Sequence, residues 1–271
     1  MKIVVEAGGT KCKWGLIDSQ LLTIETSGFN PNSSPATTLS ALCTTILSQT
    51  SKPVDSILWF GAGCAAKVNK EIVGDTLRPV FNCNNVQVFS DLEGSAIALF
   101  GNKPGIAAIL GTGAAAGYYN GQLIEHQTPS LGYLLGDEGS GAYIGKELIS
   151  KAIRGEFSAN LCKRFFDYAG QTPAELIKSI YSANPINSYL AGFVSFASTN
   201  IAEPEINHLV SKAFEQFIEK HIEPLNINNL PIGFVGGVAW QFADILRVQF
   251  EKRGQQITIM KDAFERLCEC L

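Results

Sequence analysis

Two stretches of this chain are built on the same plan, and that repetition constrains the fold more than any other feature. From Gly105 the apolar run Ile106-Ala107-Ala108-Ile109-Leu110 breaks into Gly111-Thr112-Gly113 and continues through three alanines to Gly117. This is the pattern of a buried strand meeting a glycine turn. Near the start, Lys2-Ile3-Val4-Val5-Glu6-Ala7 runs into Gly8-Gly9-Thr10-Lys11 and returns as Trp14-Gly15-Leu16-Ile17-Asp18. Glycine leaves backbone N–H groups uncovered, and successive bare N–H groups form a concavity suited to phosphate oxygens. One short Gly-x-Gly fits an ordinary hairpin equally well; a second copy makes an internal repeat the hypothesis to test.

Periodicity and turn residues extend the repeat. In the first half they predict strands at 2–6, 13–18 and 21–27, a helix after Ser34-Pro35, a strand at 54–60, a helix at 65–78, a strand at 85–89 and a helix at 91–100. In the second they predict strands at 105–110, 115–120 and 123–127, several helices from Ser140 onward, a strand at 231–235, a helix at 238–252, a strand at 256–260 and a short terminal helix. Both halves read βββαβαβα, the second with helices inserted. The expectation is an α/β chain of two domains, 1–103 and 104–271, each with a five-stranded sheet.

Composition narrows the partners. With 271 residues and 46 % hydrophobic content the chain can build two modest cores. A net charge of −4 gives no basic surplus for a nucleic acid. Seven scattered cysteines without a paired framework read as reduced thiols of a cytoplasmic protein. The start runs directly into a strand with no leader pattern, and no apolar run approaches a membrane span, so no membrane partner is expected.

Several polar residues sit where strands end. Glu6 closes the first strand, and a carboxylate there can face Mg²⁺ held by bound phosphates, because Mg²⁺ takes only one or two protein carboxylates. Thr10 can add a hydroxyl and Lys11 a charge to the same phosphates. Asn30, in the loop Phe29-Asn30-Pro31-Asn32, reads first as turn chemistry, and Ser34 reads as the N-cap of a helix with Pro35 at its first position. Asp91 follows the strand Val86-Gln87-Val88-Phe89 and opens a helix. Ligands of open α/β sheets bind outside the carboxyl ends of strands, yet Ser90 and Glu93 also fit a capping box, so a catalytic acid and a cap both remain open. Farther on, Gly136-Asp137-Glu138-Gly139-Ser140-Gly141 forms a tight turn in which Asp137 or Ser140 caps a helix, or the two acids meet sugar hydroxyls. Ile206, Leu209, Val210, Ala213, Phe214, Phe217, Ile218 and Ile222 form a core stripe ending at Pro224. Gly236-Gly237, at a strand-to-helix turn, lets a planar ring or ribose lie on the backbone.

Three glycine turns at the ends of corresponding strands, an acid after Val88-Phe89-Ser90 and the duplicated order resemble the actin-like ATPase and sugar kinase superfamily, with ribonuclease H-like domains. Within it, Val5-Glu6-Ala7-Gly8-Gly9-Thr10-Lys11, Gly111-Thr112-Gly113 and Gly136-Asp137-Glu138-Gly139-Ser140 resemble the N-acetylglucosamine kinase branch, which also contains the activator ATPases of acyl-CoA dehydratases. The resemblance implies two actin-like domains with ATP and Mg²⁺ in a cleft between them. It puts the phosphates on Gly8-Gly9-Thr10 and Gly111-Thr112-Gly113, and the adenosine near Gly236-Gly237. It assigns Asp91 as general base toward a sugar hydroxyl, and Asn30, Gly132 and Asp137 as sugar contacts. It also implies a terminal helix that crosses back onto the first domain, and leaves a homodimer open.

Three departures bear on the substrate. Relatives place serine and asparagine where Ala114 and Ala115 follow the Gly-Thr-Gly turn, and a tryptophan where Leu131 stands, so an amino sugar such as N-acetylglucosamine is implied by branch alone. The terminal helix reads Ala263-Phe264-Glu265-Arg266-Leu267 and lacks the glycine of the family. Two other functions compete. An activator ATPase needs cluster-binding cysteines, and only Cys268 and Cys270 lie close together in the sequence. A sugar- or ATP-binding regulator would need Asp91 only as a cap.

Overall fold

The structure, a computed structural model, describes residues 1–50, 52–225 and 229–270. The chain divides into two compact units, one made of Met1–Lys103, Gly121–Leu123 and the segment from Asp262 onward, the other of Pro104–Asn120 and Ile124–Lys261.

In the first unit β1 (Lys2–Ala7), β2 (Lys11–Ile17) and β3 (Leu21–Ser27) form an antiparallel meander, followed by α1 (Ala36–Leu47), β4 (Ser56–Gly61), α2 (Lys67–Phe81), β5 (Val86–Ser90) and α3 (Asp91–Phe100). The sheet order is β3-β2-β1-β4-β5, with β4 and β5 parallel to β1. Central β1 carries the continuous apolar run Ile3-Val4-Val5, wholly buried, as a strand covered on both faces requires. Edge strand β3 exposes Leu21 and Leu22. Trp14 and Trp59 meet edge to face, with ring centroids 5.6 Å apart, and Phe29 stands 6.2 Å from Trp59. Such pairs add to what their burial alone supplies.

The second unit repeats the plan with β6 (Gly105–Leu110), β7 (Ala114–Tyr119) and β8 (Ile124–Gln127). There follow α4 (Gly132–Leu135), α5 (Gly141–Arg154), α6 (Ala159–Ala169), α7 (Pro173–Ser182), α8 (Ile186–Gly192), α9 (Val194–Thr199) and α10 (Pro204–Phe217). A π-helical turn, Ile218–Ile222, and a 3₁₀ turn, Glu223–Leu225, continue α10. Then come β9 (Ile232–Val235), α11 (Gly237–Gln241), α12 (Ala243–Glu251) and β10 (Ile257–Met260). The sheet order β8-β7-β6-β9-β10 reproduces that of the first unit, strand for strand and direction for direction. Two separate five-stranded sheets are therefore present, as the repeat predicts. The stripe from Ile206 to Ile222 is buried throughout.

The last helix, α13 (Phe264–Cys270), lies over β2 of the first unit. An added Cβ on Gly15 would come within 2.9 Å of Cys268 Sγ and 3.1 Å of the Phe264 ring, so this glycine lets the helix approach. Leu271 lies outside the described residues.

Local readings shift in three places. Pro35, in extended conformation, occupies the N-cap position and Ala36 opens α1; Ser34 instead donates its N–H to Asn30 O at 2.9 Å. The single helix expected at 238–252 is two, because Phe242 leaves helical geometry at φ −113°. Of the two capping candidates before α5, Ser140 is the cap, its Oγ accepting the N–H of Tyr143 at 3.1 Å.

Helices α5 and α8 approach so closely that an added Cβ on Gly145 would fall 1.9 Å from the Leu190 carbonyl oxygen. Alanine is the better helix former by about 1 kcal/mol, but overpacking here costs about 1–3 kcal/mol. Gly145→Ala is therefore expected to lower the calorimetric unfolding midpoint of the second unit, and a raised midpoint would contradict the close approach.

Candidate functional site

In each sheet the parallel strands end in register. Ala7 pairs with Gly61 and Gly61 with Ser90, so Glu6, the Gly8 turn, the Gly61–Gly63 loop and Asp91 emerge at one end of the first sheet. Ile109 pairs with Val235 and Val235 with Met260, which brings the Gly111 and Gly236 turns together at the matching end of the second.

The second unit builds the more tightly determined constellation. Gly111 N–H donates to Gly113 O at 3.0 Å and closes the turn. The first amides of α5 then bind the outside of that turn, Gly141 N–H to Gly111 O at 2.8 Å and Ala142 N–H to Thr112 O at 3.1 Å. Among the described residues the N–H groups of Thr112 and Gly113 have no backbone acceptor. An added Cβ on Gly111 would meet nothing within 4 Å, so the turn faces open space. Gly236, at φ +133°, lies flat on the end of β6, where a Cβ would be 2.3 Å from Leu110 O. Gly237 beside it is open, leaving bare backbone next to the turn.

Asp137 belongs to the same constellation. Its backbone is left-handed, with φ +57°, and its buried carboxylate lies against the Gly-Thr-Gly turn, Oδ2 being 3.1 Å from where a Cβ on Gly113 would stand. Burial pushes its pKa above the ordinary aspartate value, against the Ala114 N–H and the neighbouring His221, which pull it down. Glu138 points the other way. Its buried carboxylate is 2.5 Å from Lys220 Nζ and 3.3 Å from His221 Nε2. Burial opposes its charge, yet these partners hold its pKa below the ordinary glutamate value. The two acids therefore do not act as a pair on one ligand. Gly132, at φ +71°, opens the short α4, on which Leu134 and Leu135 are exposed, as is Leu131 just before it.

In the first unit the Gly8–Thr10 turn is braced from beneath. Gly8 N–H donates to Lys11 O at 2.9 Å, Phe29 N–H to Gly8 O at 3.1 Å and Gly28 N–H to Thr10 O at 3.0 Å. A Cβ on Gly28 would sit 2.5 Å from Gly8 O and from Gly9, so only glycine fits there. Gly9 faces open space, as Gly111 does. Lys11 points along the sheet edge to Glu25, 3.4 Å away, both exposed. Glu6 Oε1 accepts the N–H of Ala263 at 3.2 Å; burial raises its pKa against that hydrogen bond. Among the described residues no cluster of three or more His, Cys, Asp or Glu could hold a metal. Glu6 could hold Mg²⁺ only as a single carboxylate, the remaining ligands being phosphates and water.

Asn30 does make the turn contact its sequence suggests, Oδ1 accepting Asn32 N–H at 3.0 Å. Asn69 adds a brace that sequence reading misses: its buried amide donates to Asn32 Oδ1 at 2.8 Å and to Gly63 O at 2.7 Å. Asp91 stands at the first position of α3, half-buried. Ser90 and Glu93 complete the capping box without Asp91, whose carboxylate accepts the N–H of Leu92 at 3.0 Å. Burial raises the Asp91 pKa, partly offset by that hydrogen bond. A carboxylate outside the capping box, with increased basicity, at a strand end is suited to accept a proton.

No family model matches the chain, and no curated protein does. Solved structures do. A provisionally named N-acetylglucosamine kinase from Porphyromonas gingivalis is 29 % identical with a TM-score of 0.94, over 100 % of this chain and 98 % of that one. A second, from Chromobacterium violaceum, is 21 % identical with a TM-score of 0.76, over 99 % and 98 %. A ROK family glucokinase from Streptomyces griseus, in complex with glucose and AMPPNP, is 14 % identical with a TM-score of 0.58, over 99 % and 97 %. The fold of this chain matches the N-acetylglucosamine kinase branch of the actin-like ATPase and sugar kinase superfamily.

Proposed function

We propose that the protein is an ATP-dependent sugar kinase, with an amino sugar such as N-acetylglucosamine as acceptor. The observation that carries this reading is the constellation in the second unit. An open glycine turn, two of whose N–H groups have no backbone acceptor among the described residues, is braced by a helix start and flanked by a buried aspartate and a bare glycine pair. The turn fits phosphate oxygens by its donors, and the bare backbone at Gly236-Gly237 fits a nucleoside. The likeness to kinases of sugars supports the same class.

In this reading Gly8, Gly9 and Thr10, with Lys11, and Gly111, Thr112 and Gly113 bind the phosphates. Asn30, Leu131, Gly132 and Asp137 form the sugar side. Glu6 would hold Mg²⁺ through water, and the ion, when bound, neutralises phosphate charge. Asp91 accepts the proton of the acceptor hydroxyl. The hydroxyl oxygen forms the bond to the γ-phosphorus as the bond from that phosphorus to the β,γ-bridging oxygen breaks, giving sugar phosphate and ADP. Ala114 and Ala115 offer no polar side chain, so the acceptor is held with fewer side-chain hydrogen bonds than in relatives with serine and asparagine at these positions.

Two outcomes follow. Gly113→Val would force a side chain onto Asp137, whose Oδ2 is 3.1 Å from an added Cβ, and should abolish ATP binding in calorimetric titration while the protein stays folded. Unchanged affinity would remove the phosphate role of this turn. Asp91→Asn keeps the shape but cannot take a proton, and should lower kcat by about 10²–10⁴-fold with little change in ATP affinity. Because the base works deprotonated, wild-type kcat/KM should fall as pH drops through the Asp91 pKa, at a higher pH than an ordinary aspartate would give. The Asn variant should lose that limb. If turnover is unaffected, Asp91 is not the base.

A further inference from the structure

We propose that His221, acting through Glu138, is a positioning residue that fixes the Gly136–Ser140 turn and so holds the Asp137 carboxylate in place. The proposal rests on the sugar-kinase reading only for the identity of the ligand that Asp137 meets.

The turn requires outside support. Asp137 and Gly139 both have left-handed backbone, at φ +57° and +78°, and a non-glycine residue there persists only where its surroundings over-determine it. An added Cβ on Gly139 would be 2.9 Å from the Phe217 side chain, so the turn is pressed against α10. Just beyond Phe217 the helix widens into the π turn Ile218–Ile222, which carries His221 into the interior, 4 % exposed, its ring stacked on Phe217 at 5.0 Å. Such insertions often mark functional sites.

The contacts of His221 close a circuit. Its Nε2 is 3.3 Å from Glu138 Oε2, and its Nδ1 is 3.1 Å from Thr128 Oγ1. Thr128 in turn reaches the Ala116 carbonyl oxygen, from Oγ1 at 3.3 Å and from its backbone N–H at 3.2 Å. Ala116 lies on β7, the strand that follows the Gly-Thr-Gly turn, and Asp137 lies beside that turn, its Oδ2 3.1 Å from where a Cβ on Gly113 would stand. One end of the circuit thus fixes the strand that leaves the turn beside Asp137, and the other fixes the residue next to Asp137 in the chain.

Proton inventory gives the circuit its direction. The Thr128 hydroxyl has one proton and two lone pairs. It can donate to Nδ1 of a neutral imidazole, or donate to Ala116 O while accepting Nδ1–H from an imidazolium. In both of these states Nε2–H donates to the ionised Glu138, whereas the neutral Nδ1–H tautomer would turn a lone pair on it. The Glu138 carboxylate thus selects the two states in which Nε2 carries the proton. When His221 is replaced, Lys220 still neutralises Glu138, so the variants lose a geometric constraint rather than strand a charge.

The test compares His221→Leu, which has no donor, with His221→Gln, whose amide can still donate to Glu138. The leucine variant should speed exchange of the hydrogen-bonded amides of Gly136, Ser140, Gly141 and Ala142 and of residues 114–116 by about tenfold or more while exchange in the α5 and β6 cores is unchanged. Its sugar KM should rise about 10–100-fold with kcat within about threefold, since Asp137 would bind ground and transition states alike. The glutamine variant should recover most of both effects. Should the leucine variant not fold, Thr128→Val, which removes the hydroxyl shared by Nδ1 and Ala116 O, carries the same exchange measurement. Unchanged exchange in the turn, loosening spread over the whole second unit, or a glutamine variant no better than leucine would each overturn the proposal. If the wild type phosphorylates no sugar, the kinase reading fails and the exchange arm alone decides this one.

Discussion

Two backbone hydrogen bonds organise the second unit: the amides of Gly141 and Ala142, which open α5, donate to the carbonyls of Gly111 and Thr112. The first amides of a helix lack intrahelical acceptors and are open to an anion. Here they are spent on the glycine turn, so the helix supports the turn and the turn's own amides remain for a ligand. The Asp137 side of the constellation follows that arrangement. The Gly136–Ser140 segment passes directly beside the turn to deliver Gly141, with Asp137 against Gly113 and left-handed backbone at Asp137 and Gly139.

The first unit meets the same need differently. Among the described residues no helix start donates to the Gly8–Thr10 turn; instead Gly28 and Phe29, just after β3, donate their amides to Thr10 O and Gly8 O. The two turns share a strand plan and an open face, but one is tied to a helix start and the other to a strand end. The neighbouring acids are held alike: Asp91 accepts the N–H of Leu92 beside the Ser90–Glu93 capping box, Glu6 accepts the N–H of Ala263, and burial raises the pKa of both.

The duplicated sheets were legible because strand periodicity and glycine turns are local signals, and each occurs twice. The capping box at Ser90 and Glu93 was equally local. The braces were not. Gly28 is one more glycine in a loop until the fold presses it on Gly9, where an added Cβ would be 2.5 Å away, and Asn69 is an ordinary polar residue on α2 until it reaches Asn32 and Gly63. His221 is hidden more completely, because the apolar stripe around it predicts an uninterrupted helix and the π turn that carries it inward has no sequence mark. Glu138 looked like a companion to Asp137, since adjacent residues in a turn can point to opposite sides and the sequence does not say which they face.

The central claim, that this chain transfers phosphate from ATP to a sugar, is tested most directly by incubating the wild-type protein with Mg²⁺, ATP and single hexoses or N-acetylhexosamines and measuring sugar phosphate and ADP together. The account predicts that at least one sugar gives a monophosphate with equimolar ADP, and that ADP release without sugar is much slower. Tight ATP binding with no sugar phosphate from any member of the panel would contradict it.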